Sequence, residues 1–125
     1  MHQILGIHHV QITVPADREA EARRFYIDLL GLEEIEKPPK LRPTGFWVRI
    51  ADGRTLHVGT EDGVDRRATR AHVAYEVADL AHWRNRLAAA GVEVQDQSPF
   101  WDCVRFHLRD PFGNQLELIQ HTSRR

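Results

Sequence analysis

His-Val-Gln-Ile-Thr-Val at residues 9–14 reads against His-Val-Ala-Tyr-Glu-Val at 72–77. Gly-Arg-Thr-Leu-His at 53–57 reads against Gly-Asn-Gln-Leu-Glu at 113–117. The chain thus carries one pattern twice, and each copy opens and closes on a residue able to bind a metal: His9 and His57, then His72 and Glu117. Both opening stretches alternate, with Val10, Ile12 and Val14 on one face and His9, Gln11 and Thr13 on the other. That is the period of a strand. By the same alternation His8 falls with Val10, so His9 is the residue expected on the polar face.

Outward from these strands the rest of each copy follows. Pro15 ends the first strand and Asp17 is placed to cap a helix. Ala22, Phe25, Tyr26 and Leu29 form its apolar stripe, and Gly31 ends it. Strands are expected at 32–36, 46–50 and 55–60, with a proline-rich loop at 37–43 and a tight turn at Asp52-Gly53. In the second copy Asp79 caps a helix with Leu80, Trp83, Leu87 and Ala90 as its stripe, and Gly91 ends it. Strands follow at 92–95, 103–108 and 114–120, with a loop at 98–101. Asp110-Pro111-Phe112-Gly113 suits a type I turn. The order is β-α-β-β-β twice, over residues 5–61 and 70–121. The expected fold is therefore α+β, one domain over 1–125, with two repeats building a curved mixed-sheet cup. The loops at 37–43 and 96–102 are candidates for lids.

Composition narrows the function classes. The chain is 42% hydrophobic and 28% charged, which is ordinary for a globular protein. Its net charge of −1 offers no electrostatic case for nucleic acid or an anionic membrane. Asp65-Arg-Arg-Ala-Thr-Arg70 is locally basic and reads as a solvated linker. One cysteine, Cys103, allows no internal disulfide and fits a reducing cytoplasm. With no activating pattern beside it, Cys103 reads as a buried packing residue. No run reaches the ~20 apolar residues of a membrane span. His2, His82 and His121 read as surface residues.

If the sheets curl, the polar strand faces line a cavity. His9, His57, His72 and Glu117 are then the candidate metal ligands, with His57 and Glu117 also the candidate catalytic groups. Strand parity adds Gln11, Trp47, Arg49, Arg105 and His107 as candidate substrate contacts. An arginine there suits a carboxylate or phosphonate. Imidazole and carboxylate donors suit one divalent ion of zinc, nickel, manganese, iron or cobalt.

At these residues the sequence resembles the vicinal oxygen chelate superfamily of glyoxalases, bleomycin resistance proteins and extradiol dioxygenases. The resemblance rests on Gly-Ile-His-His-Val (6–10), Phe-Tyr-Ile-Asp-Leu-Leu-Gly-Leu (25–32), Ala-His-Val-Ala-Tyr-Glu-Val (71–77) and Asp-Pro-Phe-Gly-Asn-Gln-Leu-Glu (110–117). It implies His9, His72 and Glu117 as ligands, with His57 at the fourth position, where glyoxalase I uses glutamate. It also implies a homodimer and a small-molecule substrate chelated through two neighbouring oxygens. Lyase or isomerase chemistry of the glyoxalase type is expected first. The alternatives are epoxide opening of the fosfomycin-resistance type, or a non-catalytic protein that sequesters a drug.

Overall fold

A computed structural model describes residues His2–Ser123. The chain forms two compact units, Met1–Val64 and Asp65–Arg125. Each holds one four-stranded mixed sheet.

In the first unit, strand β1 (His9–Val14) leads through a 3-10 turn at Ala16–Arg18 into helix α1 (Glu19–Arg23). The helix widens into a π-helical segment, Arg24–Leu29, closed by the five-residue bond Leu30 N–H to Phe25 O at 2.9 Å. Strands β2 (Glu33–Ile35), β3 (Phe46–Arg49) and β4 (Thr55–Thr60) follow. The sheet order is β1-β4-β3-β2. β1 runs parallel to β4, with Gln11 opposite His57. β3 runs antiparallel on the other side of β4 and sets Trp47 opposite His57.

The second unit repeats this order. Strand β5 (His72–Glu76), helix α2 (Leu80–Ala89) and strands β6 (Val94–Phe100), β7 (Cys103–Arg109) and β8 (Gln115–His121) give the sheet β5-β8-β7-β6. Here β5 is the parallel partner, with Ala74 opposite Glu117, and β7 sets His107 opposite Glu117. The two sequence copies therefore fold alike.

Alternation places the cores. Phe46, Val48, Leu56 and Val58 are buried on the face that also receives Val14, Ala22, Phe25 and Tyr26 in the first unit. Phe106, Leu108, Leu116 and Leu118 are buried with Leu80 and Leu87 in the second. Each buried Val, Leu or Phe side chain contributes about 1.5–3 kcal/mol by leaving water. The opposite faces keep the polar side chains that alternate with them.

Several sequence expectations change. Asp17 makes no capping hydrogen bond; Asp62 caps from the far end of β4, its Oδ1 accepting the Ala16 N–H at 3.0 Å. Asp79 does cap α2, accepting from the His82 N–H at 3.1 Å. Residues 98–100 are strand rather than loop. β6 is an edge strand, so Pro99 costs no ladder bond, and the register shift between Gln97 and Phe100 absorbs it. The segment 96–102 is thus most of a hairpin arm, not a lid. The 65–70 stretch is exposed at every residue but Arg66. It holds a 3-10 turn, and Arg66 is buried, its carbonyl accepting from Arg109 at 3.3 Å. His8 lies outside β1 and is exposed. Among the described residues, no helix is long and apolar enough to cross a membrane.

Candidate functional site

In the second unit the polar strand face gathers around Glu117. This carboxylate is only 3% exposed. Its Oε1 lies 2.9 Å from His72 Nε2 and 3.2 Å from His107 Nε2. Its Oε2 accepts from Arg105 at 3.3 Å. The buried charge is therefore paired and hydrogen-bonded. Strand parity explains the gathering: β5, β8 and β7 present His72, Glu117, Arg105 and His107 to one face, with His107 directly opposite Glu117, His72 opposite Gln115 and Arg105 opposite Ile119.

The two histidines differ in what their far nitrogens meet. His72 Nδ1 lies 2.8 Å from the Arg70 carbonyl, which can only accept, so Nδ1 carries a proton. In the neutral ring the Nε2 lone pair then faces the Glu117 carboxylate. Two lone pairs 2.9 Å apart require a cation between them, a proton or a metal ion. A carbonyl that fixes the tautomer in this way is the usual support of a metal-binding imidazole. His107 is the reverse case. Arg109 donates to Gln115 Oε1 at 3.0 Å, which turns the Gln115 amide N–H towards His107 Nδ1 at 3.1 Å. His107 Nε2 meets both the Glu117 carboxylate, at 3.2 Å, and the Arg105 guanidinium, at 3.4 Å. His72, His107 and Glu117 offer donor atoms that lie within 4.8 Å of one another. All three could hold a metal ion, and His72 is the ring whose far nitrogen is fixed by a backbone carbonyl.

The first unit carries the equivalent face with different chemistry. His57 stands where Glu117 stands in the second unit, Trp47 where His107 does, and Thr55 where Gln115 does. The His57 ring is sandwiched, with Trp47 stacked at 3.7 Å between centroids and His9 at 4.1 Å. Thr55 Oγ1 lies 3.2 Å from His57 Nε2. Burial, then the neighbouring His9 and His8, holds the His57 pKa below the ordinary histidine range, so the ring is neutral at neutral pH.

That shift has a measurable consequence. Below the ordinary value of 6.5 the unfolded chain takes up a proton that folded His57 refuses. Its contribution to stability is present above that pH and is lost as pH falls through the window beneath it. His57→Gln is expected to flatten this acid limb. Urea unfolding of both proteins on either side of pH 6.5 checks it; equal pH slopes would contradict the buried neutral ring.

A cavity of about 480 Å³ opens on this face, lined among others by His9, Gln11, Lys37, Arg42, Trp47 and His57. Lys37 donates to the Arg42 and Thr44 carbonyls and so ties the proline-rich loop to the cavity wall.

Of the sequence candidates, His9, His57, Gln11 and Trp47 meet at the first-unit cavity, and His72, Glu117, Arg105 and His107 meet in the second unit. Arg49 is half-exposed, lies 3.5 Å from Glu33 and is not among the cavity's lining residues. Arg105 is engaged by Glu117, by the Ser98 carbonyl at 3.0 Å and by the Phe100 ring at 4.8 Å. Sequence reasoning missed Gln115, although its parity with Glu117 was a usable signal. It also missed Lys37, Arg42 and the Arg70 carbonyl, which leave no periodic trace.

Comparison with known proteins agrees with this architecture. No curated protein matches the chain. A solved glyoxalase family protein from Bacillus anthracis is 36% identical, covering 97% of this chain and 98% of its own, with a TM-score of 0.88. A mutant of the fosfomycin resistance protein FosX from Listeria monocytogenes, complexed with Mn(II) and 1S,2S-dihydroxypropylphosphonic acid, is 21% identical. It covers 98% and 93%, with a TM-score of 0.72. TnmS3, an antibiotic binding protein from Streptomyces sp. CB03234, is 19% identical over 95% and 99%, at a TM-score of 0.74. The model of the Glyoxalase/Bleomycin resistance protein/Dioxygenase superfamily matches residues 6–118. With two βαβββ units and a match over nearly its whole length, the chain belongs to that superfamily.

Proposed function

We propose that the protein is a divalent-metal-dependent enzyme of the glyoxalase type, acting on a small oxygenated, anionic molecule. The observation that carries this reading is the His72–Glu117 pair: two donor atoms 2.9 Å apart, one with its tautomer fixed by the Arg70 carbonyl. The donor set fits zinc, nickel, manganese, iron or cobalt. In this proposal His72 and Glu117 hold the ion. His9, the repeat counterpart of His72, and His57, the counterpart of Glu117, are the further candidate ligands on the sequence repeat alone. An ion so held supplies Lewis-acid stabilisation of negative charge that develops on a substrate oxygen.

The chain's own residues do the rest. Lys37 and Arg42 make the cavity wall cationic and select an anionic group such as a carboxylate or phosphonate. Trp47 and His9 fix the plane of His57. Where His57 does not ligate the ion, its neutral ring is the candidate general base. Lyase or isomerase chemistry of the glyoxalase type is the reaction class of this proposal. Ile4, Leu5 and Ile7, exposed ahead of β1, support assembly as a homodimer, since monomers seldom leave such residues together in water.

Manganese binding tests the reading, because a carboxylate donor such as Glu117 suits this hard ion. Equilibrium dialysis is expected to give one manganese per chain. His72→Ala should lose it, and His107→Gln should keep it with affinity weakened about 10–100-fold, as loss of a supporting partner does. Unchanged binding in His72→Ala would end the proposal. Turnover of an epoxyphosphonate or a hemithioacetal, abolished by a chelator, is the expected activity.

The likeness to an antibiotic binding protein and the stacked floor of the first-unit cavity favour one competing reading, sequestration of a planar drug. Ligand binding there would be unchanged by chelator, and the ligand would be recovered intact.

A further inference from the structure

The far end of the β7–β8 ladder holds a second group of donors that the proposed reaction does not use. The register sets Cys103 directly opposite His121. Asp102 precedes Cys103 in the two-residue turn from β6, whose first residue, Trp101, takes a left-handed φ of 49°. Three donor atoms converge there. Cys103 Sγ lies 3.5 Å from His121 Nδ1 and 3.9 Å from Asp102 Oδ1, and His121 Nδ1 lies 3.5 Å from Asp102 Oδ1.

Those separations are close to the edges of a coordination tetrahedron. Bonds of about 2.3 Å to sulfur and 2.0–2.2 Å to nitrogen and oxygen, at tetrahedral angles, place donors about 3.3–3.6 Å apart. Shifts of a few tenths of an ångström in half-exposed Asp102 would complete the fit. The supports are present as well. Ser123 Oγ donates to Asp102 Oδ2, the oxygen not aimed at the group. The Thr122 N–H and hydroxyl both donate to the Asp102 carbonyl, at 2.6 and 2.9 Å. The turn is thus tied to the end of β8, and the carboxylate is oriented. Cys103 is buried at 4% exposure, whereas His121 and Asp102 are partly open to solvent. Sulfur forms the floor of the group, and solvent can reach a fourth position.

We propose that Asp102, Cys103 and His121 form a second metal site, a thiolate-containing three-ligand site for zinc or a similar borderline-soft divalent ion, with one coordination position left to water. On binding, the Cys103 thiol releases its proton to solvent and the sulfur bonds to the ion as thiolate. His121 donates its neutral Nδ1 lone pair and Asp102 one carboxylate oxygen. Four residues separate His121 from Glu117 along β8, which at about 3.3 Å per residue is roughly 13 Å. The ion therefore has its own ligands and would tie the β6–β7 turn to the end of β8.

The composition supplies a selective readout. Cys103 is the only cysteine in the chain, so a thiolate-to-cobalt charge-transfer band can arise at this site and nowhere else. Cobalt(II) titration of the full-length protein, kept reduced with a phosphine, is expected to develop that near-ultraviolet band, and zinc should abolish it. His121→Ala and Asp102→Asn, both at partly exposed positions, should lose the band while the fold persists by circular dichroism. Ser123→Ala should keep it with affinity lowered about 10–100-fold, the usual effect of removing a partner that orients a ligand. Glu117→Gln should keep it fully, which separates this site from the one proposed for catalysis. Absence of the band at saturating cobalt, or an undiminished band in His121→Ala, would overturn the proposal and leave Cys103 as a packing residue hydrogen-bonded to His121.

Discussion

Glu117→Gln is expected to lower manganese affinity at least about 100-fold, beyond the range that loss of a mere supporting partner produces. Glutamine keeps the shape of the side chain and an acceptor for Arg105, but it removes the charge that would pair with the proposed ion. Glu117→Ala goes further. It leaves the Arg105 guanidinium, 19% exposed, facing an empty space where its carboxylate was. Removing one member of a buried ion pair costs about 3 kcal/mol or more, and a fall in Tm of roughly 10 °C or more is expected. The two variants separate the roles. A Gln variant that binds manganese like wild type would show that Glu117 serves the fold alone. An Ala variant that melts like wild type would show that Arg105 finds other partners without cost.

Asp110→Ala is expected to be the most damaging change away from the site. The Asp110 side chain is 2% exposed and organises the turn that launches β8. Its Oδ1 accepts from the Phe112 and Asn114 backbone N–H groups, each at 2.9 Å, and its Oδ2 accepts from the Asn114 amide at 2.8 Å. The backbone closes the same turn, with Asp110 N–H to Asn114 O at 2.9 Å and Gly113 N–H to Asp110 O at 3.1 Å. Gly113 sits at φ 107°, and a Cβ there would come within 2.8 Å of the Arg67 side chain. Alanine at 110 strands buried donors, so a loss of about 3 kcal/mol is expected from hydrogen bonds to a charged acceptor. Asp110→Asn keeps the acceptor facing the backbone and should cost about 1 kcal/mol. Denaturant unfolding checks both values; equal stabilities would mean that the backbone bonds suffice for the turn. Because this turn sets the start of β8, the Ala variant should also weaken metal binding at Glu117.

The architecture was legible in the sequence where the physics is local. Alternation along 9–14 and 72–77 marked the strand faces, and Gly31 and Gly91, at φ 75° and 76°, ended the helices as their type requires. Asp79 was readable as a cap because its acceptor lies three residues from the donor. Asp17 was misread because the competing cap, Asp62, arrives from 46 residues away. The π-helical segment at Arg24–Leu29 left no trace in the apolar stripe, whose Phe25 and Tyr26 are buried there.

The candidate site divides in the same way. The repeat by itself determined that His9, His57, His72 and Glu117 hold equivalent places, and strand parity put Arg105 and His107 on the face of Glu117. Only the tertiary structure decided the surroundings that distinguish the His72 and His107 rings. Those depend on the Arg70 carbonyl and on the hold of Arg109 on Gln115, partners that sequence periodicity does not specify. It alone brought Cys103 to His121, 18 residues apart, through a register fixed by the whole β7–β8 ladder. Side-chain period is a property of neighbouring residues and can be read along the chain. Hydrogen-bond partners across a sheet are set by register and turn length together, and those exist only once the strands have paired.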